Sequence, residues 1–155
     1  MRATLLQEQE GRTYAIVFDK GDEVIGGLTD FARQQGCDSS EFTAIGAFSG
    51  ATLGYFDRER RDYREIPIAE QVEVLSLIGN ITLSDGQPKI HAHVVVGRSD
   101  GTTRGGHILE AHVWPTLEVV VTETPRHLRR RHDPETGLAL IDLGQGRQSS
   151  VVSRQ

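Results

Sequence analysis

IHAHVVVG, residues 90–97, is the stretch on which the fold turns. Ile90, Ala92, Val94 and Val96 alternate with Lys89, His91, His93 and Val95. That period of two is the signature of a β-strand and puts both imidazoles on one face. Valine and isoleucine fill a pleated surface better than histidine does, so two histidines at alternate positions ask for a chemical reason. Same-face neighbours lie roughly 7 Å apart along a strand, near enough for both rings to converge on one ion at about 2.0–2.1 Å per Zn–N bond.

A third imidazole, His107, follows in Gly105-Gly106-His107, where the two glycines are expected to let the backbone bend sharply and return it to the pair. Three neutral imidazoles suit a borderline-soft divalent ion such as zinc and leave a position for water or another group. Glu110, close by in sequence, is the candidate to orient a ligand imidazole or to act as base beside a metal-bound water. The competing reading is a metal-free polar cluster, in which the same rings only hydrogen-bond to carbonyls or carboxylates or line a subunit contact. His112, His127 and His132 read as surface or packing residues.

Outward from this strand the pattern is consistently β. EFTAIGAFS, ATLGYFDRE, DYREIPI and QVEVLSLIGNITL are short apolar or aromatic runs bounded by glycine, charge or proline. Asp85-Gly86-Gln87-Pro88 and Ser99-Asp100-Gly101-Thr102 are turns that make a hairpin and then a meander. HVWPTLEVVVT, 112–122, is a strand in which Pro115 removes a ladder donor and implies a bulge, a strand start or an edge. LALIDL, 138–143, is the last strand, and residues 144–155 read as a flexible tail after a single domain over 1–143.

Upstream, RTYAIVF at 12–18 is a strand, and Asp22 is the expected N-cap of a helix whose apolar positions Val24, Leu28, Phe31 and Ala32 form one face ending near Gly36. The Gly26-Gly27 pair within it predicts a close backbone approach. Together these give an α+β domain, mainly an antiparallel sheet with one main flanking helix.

The 155 residues are 37% hydrophobic and 25% charged, a composition that supports one ordinary core. No apolar run approaches the ~20 residues of a membrane helix, and the first residues lack a signal-peptide middle, so the expected location is the cytoplasm. The lone Cys37 fits a reducing compartment and has no cue for nucleophilic catalysis. A net charge of −5 differs from the basic body of a dedicated nucleic-acid binder. The basic residues are nevertheless clustered, at Arg58–Arg61 and at Arg126, Arg129, Arg130 and Arg131. The second cluster is the candidate phosphate-contacting surface, and Asp133 and Glu135 beside it offer the alternative of a solvated or intersubunit salt-bridged face.

GNITLSDGQPKIHAHVVVGRSDGTTRGGHILEAHVWPTLEVVV, 79–121, resembles the plants-and-prokaryotes conserved (PPC) domain. Lys20-Gly21-Asp22-Glu23 resembles that family's helix start, Gly46–Gly50 its glycine-containing strand pair, and the likeness runs from about Arg12 to Leu143. The resemblance implies a compact antiparallel sheet assembled as a homotrimer and a metal, usually zinc, near the matching His91, His93 and His107. It brings no established enzymatic activity. Plant members carry AT-hook segments that enter the minor groove; the Arg-Gly-Arg-Pro core of such a segment does not occur in this sequence. The expected function is therefore a homotrimeric metal-binding domain with a binding or regulatory role toward a small-molecule or protein partner. The alternatives are a metal-dependent enzyme using bound water and Glu110, and a DNA-associated protein.

Overall fold

In the computed structural model, which describes residues 1–8, 11–124 and 128–143, the alternation around the two histidines places β6 (Gln87–Gly97) between two other strands. The elements run β1 (Arg2–Gln7), β2 (Thr13–Phe18), α1 (Val24–Gln35), β3 (Ser39–Asp57), β4 (Asp62–Ile68), β5 (Val72–Ser84), β6, β7 (Thr103–Glu123), β8 (Arg129–His132) and β9 (Ala139–Asp142). All nine strands share one sheet. β3, β5, β6 and β7 form a closed circuit, each pairing antiparallel with the next, because β7 pairs with β6 near its start and with β3 along the rest of its length.

Two turns set the register of the circuit. Asp85 and Gly86 have φ of 51° and 75°, the positive pair that a two-residue hairpin loop needs to match strand twist, and they place Ser84 opposite Gln87. Asp100 accepts from the Thr102 N–H and hydroxyl in the next turn, so β7 returns along β6.

The inner face holds the core. Ile90, Ala92, Val94 and Val96 of β6 are buried with Phe42, Phe48, Leu53, Leu77, Ile81, Ile108 and Leu117. The helix lays Val24, Leu28, Phe31 and Ala32 into this core, as its spacing predicts. Phe31 also meets Tyr14 edge to face at 5.0 Å. Truncating a buried phenylalanine of this kind costs about 3–5 kcal/mol.

Several expectations change on the structure. The N-cap is Glu23, not Asp22: its carboxylate accepts from Ile25 N at 3.0 Å and Gly26 N at 2.5 Å. Asp22 is held instead by the N-terminal ammonium at 2.6 Å and by the Asp19 N–H. The Gly26-Gly27 pair admits that carboxylate and the Phe18 ring rather than another backbone, since a Cβ on Gly27 would stand 2.5 Å from the ring.

The runs read as separate strands at 41–49 and 51–59 are one 19-residue strand, β3, and the strand read from His112 begins nine residues earlier, at Thr103. β1 went unread because its six residues are exposed throughout and show no alternation of burial. Pro115 follows a cis peptide within β7, where register slips between Gly46↔Leu117 and Phe48↔Val113, so the expected bulge is present. Gly46 is what permits it. Its φ is 148°, and a Cβ would stand 2.3 Å from the Thr116 carbonyl oxygen. Among the described residues no helix is long and apolar enough to cross a membrane.

Candidate metal centre

The two hairpins bring the histidines together by register alone. His91 lies opposite Asn80 and His93 opposite Ile78 on β5, while His93 lies opposite His107 on β7. The Gly105-Gly106 pair does not make the sharp bend that sequence suggested. Both glycines lie in the extended start of β7, and their smallness serves packing, since a Cβ on Gly106 would stand 2.9 Å from the Gly54 carbonyl oxygen.

The three rings form a nearly equal triangle, with centroids 5.2 Å apart for His91–His93, 5.2 Å for His91–His107 and 5.3 Å for His93–His107. One ring nitrogen from each lies within 4.8 Å of the others, and the Nε2 atoms of His91 and His93 are 3.3 Å apart. Two nitrogens bound to one tetrahedral zinc at about 2.0–2.1 Å stand about 3.3 Å apart, so the tighter pair already has the spacing of ligands. Nδ1 of His107 is enclosed and has no hydrogen-bond partner among the described residues.

Surrounding residues hold these rings and keep His91 and His107 neutral. Tyr63 of β4 stacks on His107 at 4.7 Å and 23°. Arg130 of β8 reaches inward: Nε donates to Thr82 Oγ1 at 2.7 Å, Nη1 to the Ala139 carbonyl at 2.7 Å, and Nη2 to Asn80 Oδ1 at 2.8 Å and His91 Nδ1 at 3.1 Å. A guanidinium can only donate, so Nδ1 of His91 is the acceptor and its Nε2 is the atom turned to His93. This inverts the usual arrangement, in which a ligating imidazole donates its far N–H to an acceptor; in the neutral ring it puts the proton on Nε2, so ligation through Nε2 requires that proton to move to Nδ1 and Arg130 to release its bond to this nitrogen. Burial, then the cations Arg130 and Lys89 and the neighbouring His93 ring, lower the His91 pKa. Burial and the same kind of cationic surroundings push His107 down to about 4. Both rings are therefore neutral near pH 7, the form that coordinates a metal.

Two openings reach the centre. On the outer sheet face a depression of about 500 Å³ is lined by Glu41, Thr43, Asn80, His91, His93 and Thr122. On the other side a cleft of about 330 Å³ lies between Tyr63, Lys89, His91, His107, Arg130 and the Leu138–Leu140 segment.

Glu110 is not brought to the triangle. It pairs with His112 Nε2 at 2.9 Å and lines a separate depression with Gly50, Thr52 and Ile68. The arginine cluster divides by strand parity: Arg129 and Arg131 are exposed, Arg131 paired with Asp142, while Arg130 points to the histidines. Arg126 and His127 lie outside the described residues, as does the tail from 144. The other basic cluster, Arg58–Arg61, forms the β3–β4 turn, where the Asp57 carboxylate accepts from the Glu59 and Arg60 N–H groups. Sequence reasoning missed Tyr63 and the inward role of Arg130; the period of two across Arg129–Arg131 was the available signal for the second.

A closed circuit of antiparallel strands with three histidines gathered where β6 meets β7 defines the class of this protein. Residues 6–125 match the Plants and Prokaryotes Conserved (PCC) domain, and the chain belongs to that family. Similar solved structures include a plant- and prokaryote-conserved protein of Pyrococcus horikoshii, 32% identical, with a TM-score of 0.81 over 91% of this chain and 94% of that one. A metal-containing protein of Archaeoglobus fulgidus is 32% identical, with a TM-score of 0.79 over 89% of this chain and 98% of that one. A protein of Bacteroides thetaiotaomicron proposed to bind DNA is 28% identical, with a TM-score of 0.83 over 90% of this chain and 96% of that one. Among curated relatives, the bifunctional protein GlmU of Synechococcus sp. (strain JA-3-3Ab) is 32% identical over 147 residues, which are 93% of this chain. The chain spans 22% of the length of that relative.

Proposed function

We propose that this protein is a homotrimeric metal-binding domain that holds a divalent ion, zinc by ligand type, on His91, His93 and His107 and acts by binding or regulation. The observation that carries the reading is the ring triangle with its 3.3 Å nitrogen pair. The orphaned His107 Nδ1 and the metal-containing archaeal relative support it. When bound, zinc supplies a Lewis-acid position open to an added ligand. Tyr63 fixes the His107 ring plane, Asn80 and Thr82 hold Arg130, and Arg130 fixes which nitrogen of His91 faces the centre.

The homotrimer is supported by the outer sheet face. Ile45, Leu75, Ile78 and Val120 line one shallow depression there and are between 46% and 62% exposed. Val120, Thr43, Ile78 and His93 follow one another in cross-strand register, so this apolar patch runs up to the histidines. Apolar patches of this kind are covered in an assembly.

A water-activating enzyme is the weaker reading because Glu110, its proposed base, faces His112. Elemental analysis of the purified protein offered zinc is the test. About one zinc per chain is expected in the wild type, with loss by orders of magnitude on His91→Ala, His93→Ala or His107→Ala and none on His132→Ala. Equal content in all of them overturns the metal site.

A further inference from the structure

Among the described residues five arginines have a carboxylate: Arg2 has Asp19, Arg12 has Glu123, Arg33 has Asp30, Arg98 has Glu70 and Arg131 has Asp142. Two cations that line the cleft beside the histidines do not. Among the described residues, neither Lys89 nor Arg130 forms an ion pair, and no aspartate or glutamate lines the cleft. Arg130 is half-buried and its hydrogen bonds go to an amide oxygen, a hydroxyl, a carbonyl and an imidazole, all neutral. A partly desolvated guanidinium whose partners are all neutral carries an uncompensated charge, in a chain whose net charge is −5. An ion on the histidines adds more positive charge to the same space.

We propose that this cleft, closed by the β8–β9 hairpin, is the binding site for a small organic carboxylate. Its volume of about 330 Å³ suits a molecule of a few carbons, and Ile90, Leu138, Leu140 and the Tyr63 ring give an apolar body something to pack against. Four of the five guanidinium N–H bonds are already committed, so Arg130 contributes chiefly fixed charge and one remaining donor. Lys89 supplies three free donors from the rim. The family match ends at residue 125, and Arg130 and the Leu138–Leu140 wall lie beyond it, on the β8–β9 hairpin.

The inference rests on the metal reading only for the carboxylate's end nearest the histidines; the two cations stand without it. The test is a ligand-observed NMR titration with isobutyrate, its neutral isostere isobutyramide, and inorganic phosphate, on zinc-loaded and metal-stripped protein. Isobutyrate is expected to bind at least about tenfold more tightly than the amide and than phosphate. Lys89→Gln is expected to weaken isobutyrate about tenfold with zinc content unchanged, and Arg130→Gln to weaken isobutyrate by a similar factor if it folds. Equal binding of acid and amide, a preference for phosphate, no isobutyrate binding, or no effect of Lys89→Gln overturns the proposal. Charge-dependent isobutyrate binding by a protein that takes up no zinc would sink the metal reading and leave this one standing. Zinc uptake without isobutyrate binding would do the reverse.

Discussion

His107 and His112 stand five residues apart on β7 and end in opposite chemical settings. His107 lands beside β6, against two other imidazoles and the Tyr63 ring, with cations and no carboxylate in the cleft it lines. His112 lands opposite Gly50, half exposed, with its Nε2 on the Glu110 carboxylate. Register and company, not residue type, separate a cluster suited to metal from a surface acid–imidazole pair. Imidazoles grouped away from any carboxylate leave ring nitrogens for an ion, whereas the Nε2 of His112 is already engaged by Glu110. The surfaces differ too: the exposed Ile78 and Val120 share a depression with His93, whereas the exposed apolar residues beside Glu110 and His112 are only the small Pro67 and Ala69.

The largest effect that separates the two regions should be on assembly. Ile78→Arg puts a charge in the middle of the patch beside His93, and light scattering is expected to fall from a trimer to a monomer mass near the 17.1 kDa of the chain. Glu110→Gln and His112→Ala, at the other region, should leave both mass and zinc content unchanged. Loss of zinc on Glu110→Gln by tenfold or more would break the comparison, because it would mean the carboxylate supports the centre after all.

Acid should act next. His107 has a folded-state pKa of about 4 against the unperturbed value of about 6.5, so the unfolded chain takes up a proton first as pH falls. Stability of the metal-stripped protein is therefore full above about 6.5 and declines toward about 4, with His91, also lowered, adding to the slope. Thermal melts between pH 7 and 4.5 are expected to show a shallower decline for His107→Gln than for the wild type. Equal slopes would show that burial of His107 does not govern the acid response.

Much of this was legible in the chain. The alternation at 89–96 gave the strand and the shared face of His91 and His93, and Gly105-Gly106-His107 gave the third ring, although the glycines act by close packing rather than by bending. Helix spacing gave the buried face of α1. What escaped depends on contacts between distant segments. Nothing local says that Tyr63 will stack on a residue 44 positions later or that the second of three consecutive arginines will turn inward to Asn80 and His91. β3 reads as two strands because Gly50 looks like punctuation, while the strand runs through it and uses its smallness to let the Ile68 carbonyl approach. Glu110 was assigned by sequence proximity to His107, but on β7 it shares a face with His112, two residues on, and meets that ring instead.

The smallest effect belongs to the two arginines that flank Arg130. Arg131 is 77% exposed and paired with Asp142, and Arg129 is exposed on the same side of β8. Exposed pairs contribute about 0–1 kcal/mol, so Arg129→Ala with Arg131→Ala should shift stability by no more than about that amount and leave zinc content alone. The same double variant tests the DNA reading. With Arg130 committed to neutral acceptors inside, few guanidinium groups of this cluster remain for phosphate, and affinity for random duplex DNA should be weak in the wild type and little changed in the variant. Fluorescence anisotropy across a salt series measures it, since each neutralised phosphate releases counterions and steepens the salt dependence. Tight binding with a steep salt slope that flattens in the variant would make the hairpin's outer face a nucleic-acid surface, and the contrast between Arg130 and its neighbours would then divide two functions.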